Sequence, residues 1–128
     1  MPYRLLLAAT AALTLGANQA AFAQDAAAGQ RVFNQCRACH VIENNGRNGV
    51  GPNLHGVVGR KAGSIQGFRY SANMQELAQG GLTWTPENLD RYLTNPKDLV
   101  PRGSMAFAGI RNEQQRKDLI AYLQSQSN

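Results

Sequence analysis

Cys36-Arg37-Ala38-Cys39-His40 is the most informative run of residues in this chain. It spells C-x-x-C-H, the pattern that attaches a c-type haem. Two thiols three positions apart can each add across one vinyl group of a single porphyrin, giving two thioether bonds. The histidine that follows is then held under the iron, where a neutral imidazole nitrogen can ligate it. Other chemistries explain less of the motif. A redox dithiol wants a thioredoxin-like βαβ context, which is missing. A zinc site lacks the second Cys pair or spaced His pair that would complete four ligands. A disulfide closing so short a loop adds little stability. None of the three accounts for His40.

Both cysteines of the chain lie in this motif, so haem attachment leaves none for a disulfide framework. The N-terminus reads as a secretory signal peptide over residues 1–23. Arg4 supplies its positive region, Leu5 to Leu15 its apolar core, and Ala21-Phe22-Ala23 an A-x-A cleavage site. The apolar run is too short for a stable membrane span. Export combined with haem chemistry points to a bacterial periplasm. The expected mature chain, residues 24–128, has 105 residues and forms one domain. A chain this small buries a modest core on its own, so a large apolar macrocycle would supply much of the missing buried surface. The haem-free chain is expected to be poorly folded.

Outside the motif the pattern is all-α: a helix, a long glycine-punctuated loop, then three helices. Asp25 can cap a first helix running from Ala26 to about Asn34, with Val32 and Phe33 facing inward. Gly29 inside it costs helix stability, which points to a close helix contact. Residues 41–70 hold seven glycines together with Pro52-Asn53, and read as loop. So long a loop in a small domain is usually functional or wrapped on something, here the haem. No phosphate-binding glycine spacing is present. Ser71 can cap a helix to Gln79, stopped by Gly80-Gly81. Thr85-Pro86 opens a helix carrying Leu89, Tyr92 and Leu93, which ends before Pro96. Asn112 and Gln115 form a capping box ahead of Leu119, Ile120, Tyr122 and Leu123.

An electron carrier wants its iron closed on both faces. Met105, Met74 and His55 are the candidates for the second axial position. Met105 lies in the non-helical segment from Pro101 to Gly109, where glycines let the backbone turn a thioether inward. Met74 falls inside a helix, where methionine is usually packing. His55 is a lone loop histidine, more often a structural hydrogen-bonding group.

On these residues the chain resembles the class I cytochromes c, of the bacterial c2 and c550 types and the mitochondrial type. The shared pieces are the C-x-x-C-H motif, Gly51-Pro52-Asn53-Leu54-His55-Gly56, Gly59-Arg60-Lys61, Trp84, Tyr92-Leu93-Thr94-Asn95-Pro96 and Met105-Ala106-Phe107-Ala108-Gly109-Ile110. The resemblance implies the class I cytochrome c fold, about four to five helices wrapped around one covalent haem c. It implies that Cys36 and Cys39 carry the thioethers, and that His40 and Met105 are the axial ligands. The Pro52 carbonyl would accept the Nδ1 proton of His40. Arg60, Tyr70 and Trp84 would bond or neutralise the inner propionate, and Asn73 and Tyr92 would line the methionine side through hydrogen bonds. Gly29 and Phe33 would meet Leu119 and Tyr122 where the terminal helices cross. Two departures stand out. Gly103 and Ser104 replace the Thr and Lys that mitochondrial relatives carry before the ligand methionine. The stretch from Asn73 to Trp84 is a few residues longer than in the mitochondrial form.

The function so implied is that of a soluble periplasmic one-electron carrier rather than an enzyme, cycling Fe(II)/Fe(III) in a respiratory or photosynthetic chain. The alternative is a haem enzyme or gas-binding cytochrome with a labile sixth ligand, against which Met105 argues. Removing Arg4 leaves 12 basic residues against 8 acidic, a net charge of +4 before the propionates are counted. Arg37, Lys97, Arg102 and Arg111 are candidates for a basic ring at the exposed haem edge. Such a ring suits acidic membrane redox complexes: a bc1-type donor, and an oxidase, reaction centre or reductase as acceptor. The expected protein is a monomer, peripheral to the membrane only. Its basic residues are too dispersed for nucleic acid.

Overall fold

The computed structural model describes residues 24–127, so the expected signal peptide at 1–23 lies outside it. Five helices follow in order: α1 (Ala26–Phe33), α2 (Ala72–Gln79), α3 (Pro86–Thr94), α4 (Pro96–Leu99) and α5 (Glu113–Ser125). The architecture is all-α, with one isolated bridge between Lys61 and Thr83 among the described residues.

Four of the helices start where the sequence offers a side-chain acceptor to an orphan N–H. The Asp25 carboxylate accepts from Ala28 N at 3.1 Å, and Ser71 Oγ from Met74 N at 3.1 Å. Thr85 Oγ1 accepts from Asn88 N at 3.1 Å, and Asn112 Oδ1 from Gln115 N at 2.9 Å. The fourth helix, α4, was not separable by periodicity. Asn95 is extended (φ −155°, ψ 100°) because it precedes Pro96, and the chain then turns once more over four residues.

α1 and α5 form the principal helix pair. Gly29 is the reason they come so close. A Cβ there would run into the Asp118 carbonyl oxygen and lie 2.8 Å from the Tyr122 Cβ. One turn on, the Phe33 and Tyr122 rings meet with centroids 5.3 Å apart. Phe33 and Leu119 are fully buried in the core they share with Ile42, Val57, Leu89, Leu93 and Leu123.

The 41–70 segment contains no helix, as the glycines indicate, yet it is closely tied. Its hub is the buried Asn53. The Asn53 amide donates to Glu43 O at 3.0 Å and Arg47 O at 2.8 Å, and its oxygen accepts from His55 N at 2.8 Å. Farther along, a short antiparallel pairing joins residues 59–62 to 82–84. Gly59 N donates to Trp84 O (2.8 Å), Trp84 N to Arg60 O (2.8 Å) and Ala62 N to Leu82 O (2.9 Å). That pairing sets Arg60 and Trp84 side by side.

Candidate haem site

The C-terminal turn of α1 runs directly into the motif. Cys36 N bonds Phe33 O at 2.8 Å and His40 N bonds Cys36 O at 2.9 Å. These tight turns bring Cys36, Cys39 and His40 to the wall of one cavity of about 370 Å³. Neither cysteine is in a disulfide. Burial, with a smaller contribution from Cys39, pushes the Cys36 thiol up to about 11, so it stays protonated at neutral pH.

His40 is held by its environment in the form a metal requires. Its Nδ1 donates to the Pro52 carbonyl at 2.7 Å, which leaves Nε2 with a free lone pair. Burial lowers its pKa, the bond to Pro52 opposes that, and the nearby Arg60 charge lowers it further. The imidazole lies on Gly51: a Cβ there would sit 2.8 Å from both ring nitrogens. Glycine is therefore required at 51 for a steric reason, not for an unusual backbone angle.

Met105 lines the same cavity. The Tyr92 hydroxyl donates to its Sδ at 3.8 Å. Tyr92 in turn packs on Trp84, with ring centroids 4.9 Å apart. Pro52, Arg60, Tyr70 and Trp84 also line the cavity. The Arg60 guanidinium donates to Asn53 O (2.9 Å) and His55 O (3.3 Å), and no carboxylate among the described residues pairs with it. Tyr70 accepts from Ile65 N at 3.0 Å and keeps its own hydroxyl proton to give.

Asn73 reaches the methionine side through a hydrogen bond, but Met74 rather than Asn73 is at the cavity wall. Neighbouring helical residues point about 100° apart, so α2 turns Met74 to the cavity and buries Asn73 to one side of it. The Asn73 side chain instead holds the main chain of the segment leading to Met105, accepting from Arg102 N at 2.8 Å. Phe68 and Arg69 are further lining residues that the sequence did not reveal, since they sit in loop without periodicity. His55 is not among the lining residues, and its backbone N–H is taken up by Asn53. Of the four candidate edge cations, two have acidic neighbours. Arg37 stacks over Phe33 at 5.2 Å and lies 3.7 Å from Glu43, and Arg102 meets Glu76 at 3.0 Å. Lys97 and Arg111 are exposed.

The family model described as Cytochrome c matches residues 26–127. This chain belongs to the cytochrome c family. It is 48% identical over 104 residues to cytochrome c2 of Blastochloris viridis, covering 80% of this chain and 79% of that one. It is 46% identical over 99 residues to cytochrome c-550 of Ancylobacter novellus, covering 77% and 92%. Among solved structures it is similar to cytochrome c2 from Rhodospirillum centenum (TM-score 0.76, 38% identity, 81% of this chain and 99% of that one). It is also similar to cytochrome cH from Methylobacterium extorquens (TM-score 0.71, 44% identity, 79% and 98%).

The cytochrome c family carries one covalent haem c, and this chain is a mono-haem electron carrier of that family. Its own residues fit the group. The cavity falls within the roughly 300–1,000 Å³ common for ligand sites, with Leu54, Leu89, Leu93 and Leu119 among its walls. Two thiols stand on that wall, an imidazole is prepared for metal, and Arg60 offers a half-buried cation to an acidic substituent.

Proposed function

We propose that the mature chain, residues 24–128, is exported to the periplasm by the 1–23 signal peptide and there carries single electrons between membrane redox complexes. In this reading Cys36 and Cys39 hold haem c through thioethers, and His40 and Met105 are the axial ligands. Bound haem supplies an iron whose charge changes by one unit. The chain supplies the rest. Pro52 fixes the His40 tautomer and makes the imidazole a stronger donor. Tyr92 offers its hydroxyl to the Met105 sulfur. The leucine walls exclude water and disfavour added positive charge, which raises the reduction potential. Arg60, Tyr70 and Trp84 are the partners for the inner propionate.

The observation that supports this most is the convergence on one apolar cavity of an imidazole already bound through Nδ1 and a thioether already touched by a buried hydroxyl. With His40 and Met105 both holding the iron, a substrate would have no ligand position of its own, which favours a carrier over an enzyme. The donor is then a bc1-type complex, and the acceptor an oxidase, reaction centre or reductase. Among the described residues no helix is long and apolar enough to cross a membrane.

Washed membranes of the source organism provide the test. The purified holoprotein should restore electron flow from quinol to the terminal acceptor, and Met105→Ala should abolish most of it. Undiminished turnover by that variant would remove Met105 from the ligand set.

A further inference from the structure

The Met105 segment has backbone bonds at both ends, while its middle is held by side chains, Phe107 against the core and Met105 against Tyr92. At its far end Ile110 N bonds Leu93 O at 2.7 Å, and Arg116 Nη1 donates to Ile110 O and Arg111 O, each at 3.0 Å. At its near end Gly103 N bonds Val100 O at 3.1 Å. Between Ser104 and Ala108 no backbone N–H finds a backbone partner among the described residues. Apart from the Tyr92 hydroxyl on its sulfur, the placement of Met105 therefore depends on how firmly the flanks are held.

One flank contact reaches across the fold. Arg102 N donates to the Asn73 side-chain oxygen at 2.8 Å, joining residues 29 positions apart. Asn73 is itself 7% exposed, in α2. Its amide nitrogen lies 3.5 Å from Glu76 Oε2, which the Arg102 guanidinium meets at 3.0 Å. Helix α2 thus grips the chain three residues before Met105.

We propose that Asn73 is a positioning residue for Met105: through the Arg102 main chain it holds the thioether at its place in the cavity. The proposal rests on Met105 being the iron ligand. Of the two bonds in the cluster, the main-chain one carries the effect, because the Arg102–Glu76 pair is exposed and such pairs contribute little. Losing the acceptor leaves an N–H to be met by water or by a moved chain, enough to change a local equilibrium by roughly tenfold.

Competition for the sixth position reads this directly. Imidazole is titrated into ferric holoprotein, following the methionine-sulfur charge-transfer band, for wild type, Asn73→Leu, Glu76→Ala and Asn73→Asp combined with Glu76→Ala. Asn73→Leu keeps the size and removes the acceptor, and should bind imidazole about tenfold more tightly. Asn73→Asp, made together with Glu76→Ala so that no carboxylate faces it, keeps an acceptor oxygen and should stay within about threefold of wild type, as should Glu76→Ala alone. Wild-type imidazole affinity in Asn73→Leu, even with a lowered melting temperature, would overturn the proposal and leave the Met105 ligand intact. Absence of the methionine band in wild type would overturn both. If Asn73→Leu does not fold, amide exchange in wild-type holoprotein decides. A protected Arg102 N–H supports the clasp, and exchange at the open-chain rate refutes it.

Discussion

Burial pushes the Tyr92 phenol up to about 12, from 10.0 for the free group. An unfolded chain releases that proton near pH 10, whereas the folded chain keeps it until about pH 12. The stabilisation is therefore complete below pH 10 and is lost as pH rises toward 12, about 2–3 kcal/mol in all. Urea unfolding of the holoprotein at pH 9 and pH 11.5 should show that loss, and Tyr92→Phe should flatten it. A wild-type curve as flat as the variant's would mean the phenol is not buried against Met105. Residue chemistry was the most legible part of the site. Cys36, Cys39 and His40 declare themselves by type and spacing, and Met105 by standing in a loop where packing alone would not ask for it. The choice between Asn73 and Met74 was not legible. Capping at Ser71 fixes where α2 begins, but not its rotation about its axis, and one position of phase exchanges a cavity residue for an anchor.

At the scale of elements, the caps at Asp25, Ser71, Thr85 and Asn112 were readable because each side-chain acceptor serves an N–H only a few residues away. Helix α4 was not, since four residues are too few for a period. Nor was the role of Asn53, which reads as a turn residue but spends its side chain on partners as far as Glu43. Gly29 gives the clearest element-level prediction. In an exposed helix, Gly→Ala would stabilise by roughly 1 kcal/mol. Here the added methyl meets the Asp118 carbonyl and Tyr122, so α1 and α5 must separate. Gly29→Ala should lower stability by about 1–3 kcal/mol in denaturant titration of the holoprotein. A stabilised variant would show that the two helices do not cross at this point.

At the scale of the whole molecule, the described residues enclose the cavity of about 370 Å³ and carry charge on their surface. The fold class followed from the helical caps and the glycine-rich loop, because a segment of thirty residues without helix needs something to enclose. The basic edge was read less well, because a sequence does not show that Arg37 and Arg102 have Glu43 and Glu76 beside them. On the proposed docking, the exposed Lys97 and Arg111 would then carry more of the attraction. Electron delivery to an acidic membrane partner should slow by roughly tenfold or more between low salt and half-molar salt, measured as the second-order rate by stopped flow. Lys97→Gln with Arg111→Gln should reduce that slope. A rate indifferent to salt would mean that docking is not steered by this face.

Two methionines line the cavity, and on the proposed reading the sulfur of Met105 closes the iron. Proton NMR of the ferrous holoprotein distinguishes them, because the ring current of the macrocycle shifts the methyl of an iron-bound methionine far upfield. One such methyl is expected, assigned to Met105 and lost in Met105→Ala while surviving Met74→Leu. An upfield methyl that belongs to Met74, or none at all, would contradict it.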